Sequence, residues 1–285
     1  MKIAFLGMGI MGSRMAHRLL EEGHSLRIYN RSSNQRMKDL ASGGATICES
    51  PAQAAASAEL TITMLSNPEA VRAVALGETG LLNGAPRGSI WMDCSTVDPE
   101  FSREMGNQAH QAGLHFLDCP VAGSKIPAEK GELVILAGGE AKDVEAVSSI
   151  TAVLGKRTVH CGPVGSGSAM KLVINFMLAQ SVLAMSEAAQ IGKLLGLSER
   201  SILDVVPATP VAAPIIAGLR DRFEEKDKEV HFPLKHMLKD LKLAEKSKGT
   251  DSSALPLLEA GIAVYQEMLQ EGTDQDFSEV YLRFR

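Results

Sequence analysis

The sequence has no excess of positive charge, no closely paired cysteines and no internal repeat. Net charge is −5 over 285 residues, with a pI near 5.8. That argues against a nucleic-acid binder or a protein of the membrane surface, both of which display a basic field. The four cysteines, Cys48, Cys94, Cys119 and Cys161, form no C-x-x-C pair and no His/Cys cluster. A zinc site or a disulfide framework therefore has no support, and no metal is expected. An apolar run of membrane-span length at 170–189 carries Lys171, Asn175, Gln180, Ser181, Ser186 and Glu187, which make insertion costly. Glycines likewise interrupt MKIAFLGMGIMGSRMA, which otherwise looks like a signal peptide. What is left is a cytoplasmic enzyme or binding protein acting on a small molecule. Its 45% hydrophobic and 22% charged residues are enough for a large core.

What the sequence does have is alternation. Seven apolar runs read as strands: KIAFL (2–6), SLRIYN (25–30), LTITML (60–65), SIWMDC (89–94), HFLDCP (115–120), LVILAG (133–138) and RTVHCG (157–162). Ser50-Pro51 and Asp98-Pro99 each set a capping side chain before a proline at the first helical position. Gly23 and Gly113 sit where helices stop. Strands alternating with helices imply βαβ units and a mostly parallel sheet. After Gly162-Pro163 the pattern turns to helical blocks at 168–195, 198–206, a proline-punctuated 207–220, 233–248, 254–271 and a tail near 276–283, with no strand. DRFEEKDKE (221–229) reads as a solvated surface segment. The expectation is an α/β, Rossmann-type dinucleotide-binding domain at 1–163 and an all-α domain at 164–285, joined by a long interdomain helix over 164–195. That helix is apolar on most sides, so both domains or a second copy of the chain must cover it, and a homodimer or homotetramer is expected.

Gly7, Gly9 and Gly12 stand in G-x-G-x-x-G spacing, directly after strand KIAFL and at the opening of a helix. In that context Gly7 permits the tight turn, Gly9 lets the backbone approach a pyrophosphate, and Gly12 lets helix and sheet pack closely; the helix N-terminus adds N–H groups and positive potential. Gly7, Met8, Gly9, Ile10, Met11 and Gly12 are thus the candidate cofactor loop. NAD binders place an acid at the end of the second strand to hold the ribose hydroxyls. This chain reads Asn30-Arg31-Ser32, where Arg31 can pair with a 2′-phosphate and Asn30 and Ser32 are neutral partners, so NADP(H) is favoured. Two further strand ends line the same crevice. Met64, Leu65 and Ser66 pass under the nicotinamide half. Ser95 or Thr96 hydrogen-bonds its ribose or the substrate, or else caps the helix after Pro99.

Reducing a carbonyl with a nicotinamide needs a proton donor besides the hydride. Lys171 follows the glycine-rich GPVGSG (162–167) in the first turns of a helix, and a lysine of ordinary pKa is a protonated acid at neutral pH. Asn175, four residues on, shares its face and can orient the ammonium or the substrate. The alternative is a lysine whose stem packs while its head reaches water. His231 and His236 lack the companions of a metal site. The lysine stripe 235, 239, 242, 246 reads as a solvated face, and the many methionines as adaptable packing.

GMGIMGSRMA, DCPVAGSKIPAEKGEL (118–133), GSGSAMKLVIN (165–175) and FPLKHMLKDLKLA (232–244) occur in order over nearly the whole chain. Together they resemble the β-hydroxyacid dehydrogenase family, related to 3-hydroxyisobutyrate dehydrogenase, and within it the NADPH-dependent glyoxylate/succinic semialdehyde reductases. The resemblance implies that Lys171 is the catalytic acid/base and Asn175 its helper. It also implies that the loop with Ala122, Gly123 and Ser124 meets the substrate carboxylate, that Lys239 reaches the cofactor, and that Phe232 and Asp240 close the pocket. Ala122 departs from the serine usual in these reductases, removing one hydroxyl while the N–H groups of Gly123 and Ser124 still suit an anion. The implied activity is NADPH-dependent reduction of small carboxylate-bearing aldehydes. Alternatives are a 3-hydroxyisobutyrate-type dehydrogenase of branched hydroxyacids and a non-catalytic dinucleotide-sensing protein.

Overall fold

The structure is a computed structural model and describes residues 1–250, 253–271 and 275–284. The chain divides into two compact units, Met1–Lys171 and Leu172–Arg285.

In the first unit nine strands, among the described residues, form one sheet: β1 (Lys2–Leu6), β2 (Ser25–Tyr29), β3 (Thr46–Ile47), β4 (Leu60–Thr63), β5 (Ile90–Asp93), β6 (His115–Asp118), β7 (Val121–Ala122), β8 (Leu133–Gly138) and β9 (Gly155–Gly162). The order is β3-β2-β1-β4-β5-β6-β8-β7, with β9 on β8. Pairing is parallel from β3 to β6 and between β8 and β9, and antiparallel where β8 meets β6 and β7. The mostly parallel sheet and the seven expected strands are all present; the two-residue β3 and β7 are too short to leave a periodic signal. β1 shows why these runs are strands rather than helices: Ile3 and Phe5 enter one buried cluster, Ala4 and Leu6 the cluster on the opposite face. A strand covered on both sides must be apolar throughout. The expected caps hold, since Ser50 accepts from Gln53 N and Asp98 from Phe101 N.

The order doubles back at β1 and β4, and this is where the crevice beyond the strand ends opens in such a sheet. The end of β1 presses against the end of β4 there. A Cβ on Gly7, whose φ is +109°, would lie 2.3 Å from Met64 O.

The long helix runs Ser166–Leu194. In the second unit it packs through Ala179, Val182, Met185 and Ala189 against helices Leu234–Ser247 and Pro256–Gln270 and the tail, whose buried Met237, Leu241, Tyr265 and Tyr281 complete the core. The only pairing outside named strands, among the described residues, is one bridge between Pro233 and Asp276.

The charged run at 221–229 is not wholly solvated, contrary to expectation. Arg222 and Phe223 are buried in the short helix Arg220–Phe223, and Phe223 stacks on Tyr281 with centroids 4.2 Å apart. The charge has a reason to be inside. Buried Asp276 accepts from the N–H groups of His231 and Phe232 and from Ser278, and the Arg222 guanidinium lies 3.6 Å from its carboxylate. A buried carboxylate of this kind is tolerable only with a cation and several donors around it.

Candidate active site

The helix Ile10–Glu21 starts at Gly9 with no side-chain cap and no acidic residue in its first turn. Its leading N–H groups and their positive potential are therefore not met by a carboxylate of its own sequence. A Cβ on Gly9 would meet nothing within 4 Å, so the chain passes here with open space over it, whereas one on Gly12 would lie 2.0 Å from Gly7 O. Open backbone at the second glycine and tight packing at the first and third are what a dinucleotide pyrophosphate requires. The residues present fit that group.

Met8 belongs to the loop in a different way from the one expected. Its side chain is buried, and its backbone is held on both sides: N–H donates to Asn30 Oδ1 at 3.0 Å and C=O accepts from Asn34 Nδ2 at 3.2 Å. Asn30 also donates to Ser32 O at 2.8 Å. So Met8 N–H is occupied within the protein, and the half-buried Asn30 braces β2 to the glycine loop. Asn34, not anticipated, shares that work while its Oδ1 caps the next helix at Met37 N; its position just before a helical pattern was the available signal. Arg31 and Ser32 are exposed beside them, and Arg31 makes no ion pair among the described residues. Ile10 and Met11 are half-buried at the helix start.

At the ends of β4 and β5, Met64 and Leu65 are half-buried and Ser66 exposed. Ser95 is 1% exposed and neither caps a helix nor faces outward. Its Oγ accepts from Leu65 N at 2.9 Å, and its own N–H donates to Asp93 Oδ1 at 3.0 Å. The Ser95 hydroxyl thus joins two loop ends. Thr96 is half-buried. Beneath lies a buried chain in which Trp91 Nε1 donates to Thr63 Oγ1 at 2.9 Å and Thr63 Oγ1 to Asp93 Oδ1 at 2.7 Å. Burial, above all, pushes the Asp93 carboxyl from 3.8 up to about 6.

Ala122 ends β7 half-buried, with Gly123 exposed and Ser124 preceding the helix Lys125–Lys130. Lys171 stands half-buried in the second turn of the long helix. In the second unit Asn175, 1% exposed, donates through Nδ2 to Asp240 Oδ2 at 2.6 Å, and Lys239 Nζ lies 2.9 Å from Asp240 Oδ1. This joins Asn175, Lys239 and Asp240 from two separate motifs. Phe232 is half-buried, its ring 5.5 Å from that of Phe277, its N–H on Asp276. Because Asn175 gives its amide N–H to Asp240, its Oδ1 is the atom left to act as acceptor on the face it shares with Lys171.

Residues 2–162 match the family model for the NAD binding domain of 6-phosphogluconate dehydrogenase. Residues 165–284 match that for the NAD-binding domain of NADP-dependent 3-hydroxyisobutyrate dehydrogenase. A glyoxylate/succinic semialdehyde reductase 1 from Arabidopsis thaliana is 34% identical, covering 98% of this chain and 97% of its own. A probable mitochondrial 3-hydroxyisobutyrate dehydrogenase from Dictyostelium discoideum is 31% identical over 98% and 89%. Among solved structures, Mycobacterium tuberculosis 3-hydroxyisobutyrate dehydrogenase with L-serine superposes with a TM-score of 0.87 at 29% identity, covering 100% and 99% of the two chains.

Proposed function

Since the chain belongs to the 3-hydroxyisobutyrate dehydrogenase-related, or β-hydroxyacid dehydrogenase, family of oxidoreductases, we propose that it is an NADPH-dependent reductase of small aldehydes bearing a carboxylate, such as glyoxylate and succinic semialdehyde. The observation that carries this reading is Lys171 and Asn175, one turn apart on a single helix, with Asn175 buried and anchored to Asp240. The name of the Arabidopsis relative supports the substrate class. NADPH, when bound, supplies the hydride that the carbonyl carbon accepts.

The rest falls to the chain. The N–H groups at the start of helix Ile10–Glu21 hold the pyrophosphate, and Arg31, with no acid at the end of β2 to repel it, pairs with the 2′-phosphate. The backbone at Gly123 and Ser124 takes the substrate carboxylate. Lys171, as an ammonium, gives a proton to the carbonyl oxygen as the C=O π pair moves onto it, and regains one from solvent; in reverse, neutral Lys171 removes the hydroxyl proton. Asn175 orients Lys171 or the substrate, itself steadied by Asp240. The family resemblance assigns Lys239 to the cofactor and Phe232 and Asp240 to the pocket. The domains are read as 1–163 for the cofactor and 164–285 for the helical part.

Lys171→Ala tests the assignment. NADPH binding should persist while turnover falls by about 10²–10⁴-fold, the range for loss of a general acid; unchanged turnover rejects it. Ala122 favours a second reading, a dehydrogenase of branched hydroxyacids, and faster oxidation of 3-hydroxyisobutyrate than reduction of glyoxylate would decide for it. Tight NADPH binding with no turnover on any carbonyl would instead mark a non-catalytic dinucleotide sensor.

A homo-oligomer is part of the proposal. On the long helix Val173, Met177, Ile191 and Leu194 are 58%, 58%, 56% and 78% exposed, with Leu195 and Leu197 beyond. Exposed apolar side chains of this number on one helix suit burial against another chain, and a second copy is their proposed occupant. Light scattering that gives a monomer at micromolar concentration would reject this. Four free thiols support a reducing, cytoplasmic setting.

A further inference from the structure

The long helix begins without a cap of its own. Gly165 precedes it and has no side chain to cap it; Pro163 O accepts from Ser166 N, and the N–H groups of Gly165 and Ser168 need an acceptor from elsewhere. The acceptor arrives from the tip of β6. Asp118, 1% exposed, takes a hydrogen bond from Gly165 N on Oδ1 and one from Ser168 N on Oδ2, each 2.8 Å long and buried. Ser168 Oγ adds a 2.8 Å bond to Ser102 Oγ on the helix Pro99–Gln111. The turn is also pressed flat on the sheet, because a Cβ on Gly167 would fall 2.2 Å from Leu136 O and 2.6 Å from Asp118 O.

We infer that Asp118 is a positioning residue for the reaction: its two carboxylate oxygens, by holding the N–H groups of Gly165 and Ser168, fix the first turn of the long helix and so set where the Lys171 ammonium stands. This rests on the reading of Lys171 as proton donor. Lys171 lies three residues beyond Ser168, one turn up the same helix, so a tilt or roll at the cap is transmitted to its side chain through rigid helix. Asp118 does not act on substrate itself, since it is buried and both oxygens are engaged. Burial pushes its carboxyl up, and the bonds from Gly165 and Ser168 push back by favouring the ionised form. The carboxylate also lays negative charge at the positive end of the helix, which otherwise disfavours an ammonium one turn further on.

Asparagine is the informative replacement. It keeps the volume and one acceptor, but turns an NH₂ group toward a second N–H that needs an acceptor, so one of the two ties fails. In Asp118→Asn, with NADPH affinity within about twofold of wild type and KM for the aldehyde little changed, kcat per NADPH-binding site should fall about ten- to a hundred-fold, the scale on which misplacing a catalytic group acts. Amide hydrogen exchange over residues 166–171 should accelerate. Ser168→Ala, which keeps the backbone tie and removes only the hydroxyl, should lose kcat to a smaller degree, and it carries the test if the asparagine variant does not fold. Faster exchange with full kcat in both variants would overturn the inference, leaving Asp118 as a stabilising cap only, and unchanged exchange would overturn the cap itself. If wild type turns over no carbonyl the reductase reading fails, and the positioning role is rejected with it.

Discussion

Replacing Asp93 by asparagine asks whether the floor of the cofactor crevice is held at a cost in stability. Asp93 is 1% exposed at the end of β5, between Thr63 and Ser95. Burial moves its carboxyl from 3.8 to about 6, the hydrogen bonds from Ser95 and Thr63 pull it back, and the charge of Asp118 adds to the rise. An acid whose folded pKa lies above its unfolded one keeps its proton in the folded state after the unfolded chain has released it. The unfolded state then binds fewer protons, so stability falls as pH rises through the window from 3.8 to about 6 and is level above it. At about 1.4 kcal/mol per unit, this rise of roughly two units costs about 3 kcal/mol at neutral pH. Trp91, the one tryptophan of the chain, bonds to Thr63 in the same chain of hydrogen bonds, so its fluorescence reports unfolding of this unit. Urea unfolding of wild type and Asp93→Asn at pH 4, 5, 6, 7 and 8 gives the difference in stability at each pH. Groups that titrate alike in both proteins cancel in it, and hydrogen bonds that asparagine makes poorly add only a constant offset. The variant should gain about 2 kcal/mol on wild type between pH 4 and neutrality, most of it before pH 7. A difference independent of pH would refute the account of Asp93 as an acid buried at a cost.

Two other substitutions probe the ligands. Arg31→Ala should weaken NADPH about ten- to a hundred-fold while leaving NADH unaffected, the worth of about 1.5–3 kcal/mol for a hydrogen bond to a charged group; equal losses for both dinucleotides, by initial-rate kinetics, would remove Arg31 from the 2′-phosphate. Ala122→Ser should raise kcat/KM for glyoxylate by a similar factor by restoring a hydroxyl donor, and no change would show that the N–H groups of Gly123 and Ser124 carry the carboxylate alone.

The parts of the fold that repeat along the chain were legible in the sequence. Strand runs such as LVILAG appear as expected because a strand buried on both faces is apolar without interruption. The proline-preceded caps at Ser50 and Asp98 were equally plain, since cap and capped N–H lie three residues apart. The edges β3 and β7 were invisible because two residues carry no period. The run at 221–229 misled because its composition is that of a surface, and the buried partner that draws Arg222 inward, Asp276, lies more than fifty residues away.

The same distance in sequence separates what was found in the candidate site from what was missed. Glycine spacing, a strand end without an acid, and a lysine one turn from an asparagine are patterns within a dozen residues, and each can be read locally. Asn30, Ser95 and Asp118 act on backbone N–H groups of Met8, Leu65, Gly165 and Ser168, which lie 22, 30, 47 and 50 residues away. A polar side chain at a strand tip looks the same in the sequence whether it faces a ligand or braces a neighbouring loop. What separates the two is burial: a tip side chain with no exposure and a backbone partner is already satisfied, and a ligand would have to break that bond to use it. By this criterion the residues of the first unit that remain able to meet NADPH or substrate are the exposed or half-buried ones, Gly9, Arg31, Ser66 and Gly123 among them. Ser95 and Asp118, both buried, brace the backbone at Leu65, Gly165 and Ser168, so loss of either should lower turnover through geometry, whereas loss of Arg31 should lower affinity through a missing contact.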